Sequence, residues 1–143
     1  MTEKTSILFL CTGNSCRSQM AEAWARHLKD DVIDAYSAGI ETYGLNPYAV
    51  QVMQEAGVDI SRQHSKNVSE FANREFDYVI TVCSDADKNC PCFPARTKVI
   101  HHGFDDPPKL AVNAKTDEEK ISNYGRVRDE IKAYVETLPE SLD

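Results

Sequence analysis

Short apolar runs alternate with stretches of helical periodicity along the chain. Ser6 to Leu10 is a continuous apolar run that predicts a buried strand. Ser18 to Leu28 places Met20, Ala23, Trp24 and Leu28 at helical spacing, and Val32 to Tyr36 predicts a second strand. A second helix is expected over Asn46 to Ala56: Asn46 is a candidate N-cap, Pro47 suits the first helical position, and Gly57 suits a left-handed end. Tyr78 to Val82 is β-branched and apolar, a third strand, and Lys98 to His101 is a weaker fourth. The segment from about Asp117 to Leu138 predicts a closing amphipathic helix with Ile121, Tyr124, Val127, Ile131, Tyr134 and Val135 on one side. The polar stretch Pro107 to Lys120 is expected to be a surface connection.

Strands separated by helical crossovers imply an α/β fold: a single-domain, parallel four-stranded sheet over residues 1–143 with helices on both faces. In such sheets ligands sit beyond the carboxyl ends of the strands. Cys11 follows the first strand and Cys83 the third, so both are expected at one rim.

Composition narrows the function classes. A chain of 143 residues buries roughly 70% of its unfolded surface, so it needs no disulfide or metal to be stable. The net charge is −7 and the 16 basic residues are scattered. Nucleic-acid binding is therefore disfavoured, because phosphate contacts need a concentrated cationic face. The N-terminus shows no signal-peptide pattern, and Ile7-Leu-Phe-Leu10 is too short to span a membrane. A cytosolic monomer is expected, and five cysteines there point to thiol chemistry.

The chemistry concentrates in Cys11-Thr-Gly-Asn-Ser-Cys-Arg-Ser18, between the first strand and the first helix. Backbone N–H groups of Thr12, Gly13, Asn14, Ser15, Cys16, Arg17 and Ser18 can converge on an oxyanion, aided by the helix N-terminus. Gly13 gives freedom where the loop curls. Arg17 offers a fork matched to two oxygens of a tetrahedral anion. The same field suits a thiolate at Cys11, to which Ser18 can donate. Cys16 is expected to pack within the loop.

Cys83, Cys90 and Cys92 lie close in sequence. That suits a thiol relay, and a metal site with His101 and His102 is the rival, though paired Cys-x2-Cys units are lacking. Asp105 and Asp106 precede Pro107, and Asp105 is expected to form the turn. His64, His101 and His102 have no partner pattern and are expected to be surface or packing residues.

The loop resembles that of low-molecular-weight protein tyrosine phosphatases and of the arsenate reductases sharing their fold. The segment Cys11-Thr-Gly-Asn-Ser-Cys-Arg-Ser-Gln-Met-Ala-Glu22 is most similar to the thioredoxin-coupled arsenate reductase branch. Further matches are Tyr36-Ser-Ala-Gly-Ile-Glu41, Val82-Cys-Ser-Asp-Ala-Asp-Lys-Asn-Cys90, Gly103-Phe-Asp-Asp-Pro107 and Arg126-Val-Arg-Asp-Glu-Ile131, so the resemblance covers nearly the whole chain.

The resemblance implies arsenate reduction for detoxification, with Cys11 as nucleophile, Cys83 as second thiol, Cys90 as resolving thiol, Arg17 on the anion and Asp106 as acid. Thioredoxin is the implied reductant, with no cofactor, and phosphate and sulfate are competing anions. Cys92 is a departure: a glutaredoxin-dependent branch sets its last two cysteines close together, and Cys92 reads here as a spare thiol. Phosphatases of this fold follow the Asp-Pro with aromatic residues, where this chain has Pro108-Lys109-Leu110. Some members hold a monovalent cation through side chains matching Asn14, Glu22 and Ser37 plus a carboxylate; Lys66 stands at the carboxylate's position, and no bound potassium is expected. The alternative is hydrolysis of phosphomonoesters.

Overall fold

The computed structural model describes residues 4–14, 16–42, 44–71, 73–82, 98–105, 107–112 and 114–142. In chain order the elements are β1 (Thr5–Cys11), α1 (Arg17–Lys29), β2 (Ile33–Gly39), α2 (Pro47–Glu55), β3 (Tyr78–Thr81), β4 (Lys98–His101), α3 (Pro107–Val112) and α4 (Asp117–Glu136). Short 3-10 turns at Val68–Phe71 and Glu140–Leu142 complete them.

The four strands form one parallel sheet in the order β2-β1-β3-β4. The central position of β1 explains its unbroken apolar run: Ile7, Leu8, Phe9 and Leu10 are all fully buried, because both faces are covered. Ile7, Phe9 and Cys11 join the larger core with Met20, Trp24, Val127 and Ile131 of α1 and α4. Leu8 and Leu10 pack the opposite face with Ala38, Phe76 and Val79, flanked by Val68 and Phe71 of the first 3-10 turn. Register sets the rim. Cys11 is opposite Gly39 and Leu10 is opposite Thr81, and the Val82 N–H donates to the Leu10 carbonyl at 2.8 Å.

Helix termini follow the sequence signals. Asn46 accepts from the N–H groups of Tyr48 and Ala49 at 2.9 and 3.3 Å, and Gly57 takes φ +87° just past the end of α2. The side-chain amide of Asn46 also donates to the Tyr124 hydroxyl at 3.0 Å, tying the start of α2 to α4. Thr116 caps α4 through the Glu119 N–H, and Tyr124, Val127, Ile131 and Val135 form its buried stripe.

Two expectations need correction. Strand β2 runs on to Gly39, past the expected end at Tyr36. The polar Ser37 conceals this extension, since its hydroxyl is buried on Glu22 at 2.9 Å. The stretch from Pro107 is not a plain connection, because α3 opens it. Pro107 and Pro108 occupy its first turn, where a missing N–H costs no helical hydrogen bond.

Candidate active site

Cys11 ends β1, and the chain then curls through Thr12, Gly13 and Asn14 before Cys16 opens α1. Cys11 is 3% exposed, and its Sγ lies 2.8 Å from Ser18 Oγ. Asn14 Nδ2 donates to the same hydroxyl at 2.7 Å. Ser18 therefore stands between an amide donor on one side and the sulfur on the other. That arrangement leaves its hydroxyl hydrogen free to point at the Cys11 sulfur.

Asn14 adopts φ 47°, a left-handed conformation that asparagine tolerates better than most residues. Four hydrogen bonds from three residues hold it there. Gln19 Nε2 donates to its carbonyl and to its Oδ1, each at 3.0 Å. Ser65 Oγ donates to the carbonyl at 2.8 Å, and the Lys66 N–H donates to Oδ1 at 2.7 Å. Gln63 in turn donates to Gln19 Oε1 at 2.6 Å.

The loop also rests on the end of β2. A Cβ on Gly39 would lie 2.7 Å from the Thr12 carbonyl and 2.8 Å from Asn14 N, so only glycine allows this approach. Beyond it, the Glu41 N–H donates to the Thr12 carbonyl at 3.1 Å. Gly39, Gln19, Gln63 and Ser65 were not singled out from the sequence. A glycine at the end of a strand was the available signal; the others act from distant loops and carry no local one.

Arg17 is 4% exposed in the first turn of α1, and its Nη1 donates to the Phe104 carbonyl at 3.2 Å. The Phe104 N–H donates to the Val82 carbonyl at 3.2 Å. Asp105 accepts from Arg126 Nη2 at 3.1 Å. The segment entering Asp106 is thus tied to α1, to the end of β3 and to α4. Cys16 is buried in the main core. His101 Nδ1 is 2.7 Å from Thr81 Oγ1, His102 stacks on Tyr134 at 3.9 Å, and His64 is exposed. Ser15, Cys83, Cys90, Cys92 and Asp106 lie outside the described residues.

The structure brings Cys11, Asn14 and Ser18 together, with Arg17 alongside at the start of α1. Within the described residues, no three His, Cys, Asp or Glu side chains are grouped to hold a metal, and no helix is long and apolar enough to cross a membrane.

Residues 6–143 match the family model described as low molecular weight phosphotyrosine protein phosphatase. The chain belongs to that family. An arsenate reductase of Halalkalibacterium halodurans is 48% identical over 138 residues, covering 96% of this chain and 97% of that protein. Among solved structures, an arsenate reductase in the phosphate binding state superposes with a TM-score of 0.77 at 30% identity, covering 97% of this chain and 99% of that one. A thioredoxin-dependent arsenate reductase of Corynebacterium glutamicum superposes with a TM-score of 0.60 at 26% identity, covering 96% of this chain and 65% of that one.

Proposed function

We propose that this family member reduces arsenate to arsenite through a three-cysteine relay recycled by thioredoxin. The observation that carries the reading is the buried Cys11 sulfur held by Ser18, at the head of a loop built to receive a tetrahedral oxyanion. The 48% identity to an arsenate reductase over nearly the full chain selects the substrate.

Arsenate enters the loop against the backbone N–H groups and the Arg17 guanidinium. The Cys11 thiolate forms a bond to arsenic while Asp106 protonates a departing hydroxyl, which leaves as water. The Cys83 thiolate then attacks the Cys11 sulfur. A Cys11–Cys83 disulfide forms, the sulfur–arsenic bond breaks, and its electron pair stays on arsenic, giving arsenite. The two electrons come from the two thiolates. Cys90 next attacks the Cys83 sulfur, which frees Cys11 as thiolate and leaves Cys83–Cys90 for the thioredoxin dithiol to reduce. The thioredoxin-dependent relative from Corynebacterium glutamicum favours that reductant.

Family membership keeps a second reading in view, hydrolysis of a phosphomonoester through a Cys11 phosphoenzyme. It shares the first step and differs in what resolves the adduct. One assay separates them. Protein, arsenate, thioredoxin, thioredoxin reductase and NADPH should consume NADPH in step with arsenite formed. Turnover with glutaredoxin and glutathione alone would overturn the choice of reductant. Fast hydrolysis of an aryl phosphate without arsenite formation would overturn the reaction.

A further inference from the structure

Glu22 is a buried carboxylate outside the chemistry described above. Its side chain is only 3% exposed, and its Oε1 accepts from Ser37 Oγ at 2.9 Å. Two cations stand at nearly equal range: Lys66 Nζ at 3.7 Å and Arg26 Nε at 3.8 Å. Burial separates them. The Arg26 side chain is 53% exposed and already donates twice to the Ala35 carbonyl, whereas the Lys66 side chain is 13% exposed. Water screens the first interaction far more than the second. Lys66 is the effective counter-charge of Glu22.

The backbone of Lys66 performs a separate task. Its N–H donates to Asn14 Oδ1 at 2.7 Å, and its carbonyl accepts from the Gly39 N–H at 2.9 Å. Lys66 Nζ also donates to the His64 carbonyl at 3.0 Å, and that same carbonyl accepts from Gln19 at 2.8 Å. A single residue thus joins the charge balance of the α1–β2 junction to the hydrogen bonds that hold Asn14, and through Asn14 to Ser18 and Cys11.

We propose that Lys66 is a positioning residue for the oxyanion loop: its ammonium neutralises buried Glu22 and so keeps the 64–66 segment closed on Asn14. Without the ammonium, the buried Glu22 carboxylate is left with the Ser37 hydroxyl and the water-screened Arg26, and the segment moves away to admit water. Asn14 then loses the Lys66 N–H, Ser18 loses its orientation, and the loop binds anions less well. This inference rests on the reading of the loop as an oxyanion site.

Inorganic phosphate, titrated calorimetrically into the full reduced chain, tests both. Lys66→Met should weaken phosphate binding about tenfold, since a lost buried counter-charge is felt strongly in a preorganised site. Adding Glu22→Gln to Lys66→Met should bring binding back to within about twofold of wild type, because no buried charge is left to compensate. A merely structural loss of the lysine stem would not be rescued in this way. Should Lys66→Met alone prove too unstable to titrate, the double variant still decides: folded and binding supports the inference, unfolded or still weak overturns it. Wild-type affinity in Lys66→Met also overturns it. A wild-type chain that binds no phosphate would remove the oxyanion reading itself.

Discussion

The side-chain amide of Asn14 donates to the hydroxyl of Ser18 at 2.7 Å, and that hydroxyl lies 2.8 Å from the Cys11 sulfur. Asn14 holds its left-handed φ of 47° only because Gln19, Ser65 and Lys66 fasten both of its oxygens. Its two contributions separate by mutation. Asn14→Gly keeps the backbone permissive and removes the amide, so kcat/KM for arsenate should fall about three- to tenfold, the worth of a buried hydrogen bond between neutral groups. Asn14→Ala adds a backbone penalty of about 1 kcal/mol and should also lower the unfolding midpoint in urea.

Replacing the thiols distinguishes their roles. Cys11→Ser should abolish arsenite formation. Cys90→Ser should complete about one turnover and then stop as a Cys11–Cys83 disulfide, visible by mass spectrometry after tryptic digestion. Sustained thioredoxin-coupled turnover in Cys90→Ser would transfer the resolving role to Cys92 or an external thiol.

Gly39→Ala places a methyl group where the Thr12 carbonyl and Asn14 N stand 2.7 and 2.8 Å away. Both obstacles are backbone, so the loop must shift. Overpacking of this kind costs about 1–3 kcal/mol, and arsenate KM should rise together with the loss of thermal stability. An unchanged KM would show that the loop tolerates displacement.

Arg17→Lys keeps a positive charge and loses the planar fork, along with its geometry toward the Phe104 carbonyl. The expected result is a KM for arsenate raised about tenfold or more, with competition by phosphate weakened in parallel. A selective loss of kcat would instead place the arginine's main effect on the segment leading to Asp106.

Burial raises the Tyr134 phenol above its ordinary 10.0. The neutral phenol is favoured by the fold, so its contribution is complete below that value and is lost as pH rises through the folded pKa. Tyr36 is raised as well, chiefly by burial. Urea midpoints should therefore fall on going from about pH 9 to about pH 11. Tyr134→Phe retains the ring that stacks on His102 and should show a shallower alkaline fall than wild type.

The fold was legible because β1 and α4 carry their burial in their residues: an unbroken apolar run in the first, a helical stripe in the second. The grouping of Cys11 with Ser18 was legible too, since both fall within eight consecutive residues. What holds that loop was not. Ser65 and Lys66 reach Asn14 from more than fifty positions away, and Gln63 acts only through Gln19. Polar side chains that serve another residue's conformation leave no periodicity. Ser37 shows the same effect inside a strand, where a hydroxyl committed to Glu22 hid the true end of β2.

Cys11 closes a strand whose preceding four residues are fully buried and which is hydrogen-bonded on both edges. Amides in such a strand exchange with solvent only when most of the molecule opens. The sulfur is thus anchored to a strand built to exchange slowly. In the proposed relay, the thiol that forms a disulfide with Cys11 has to come to a sulfur that β1 holds in place.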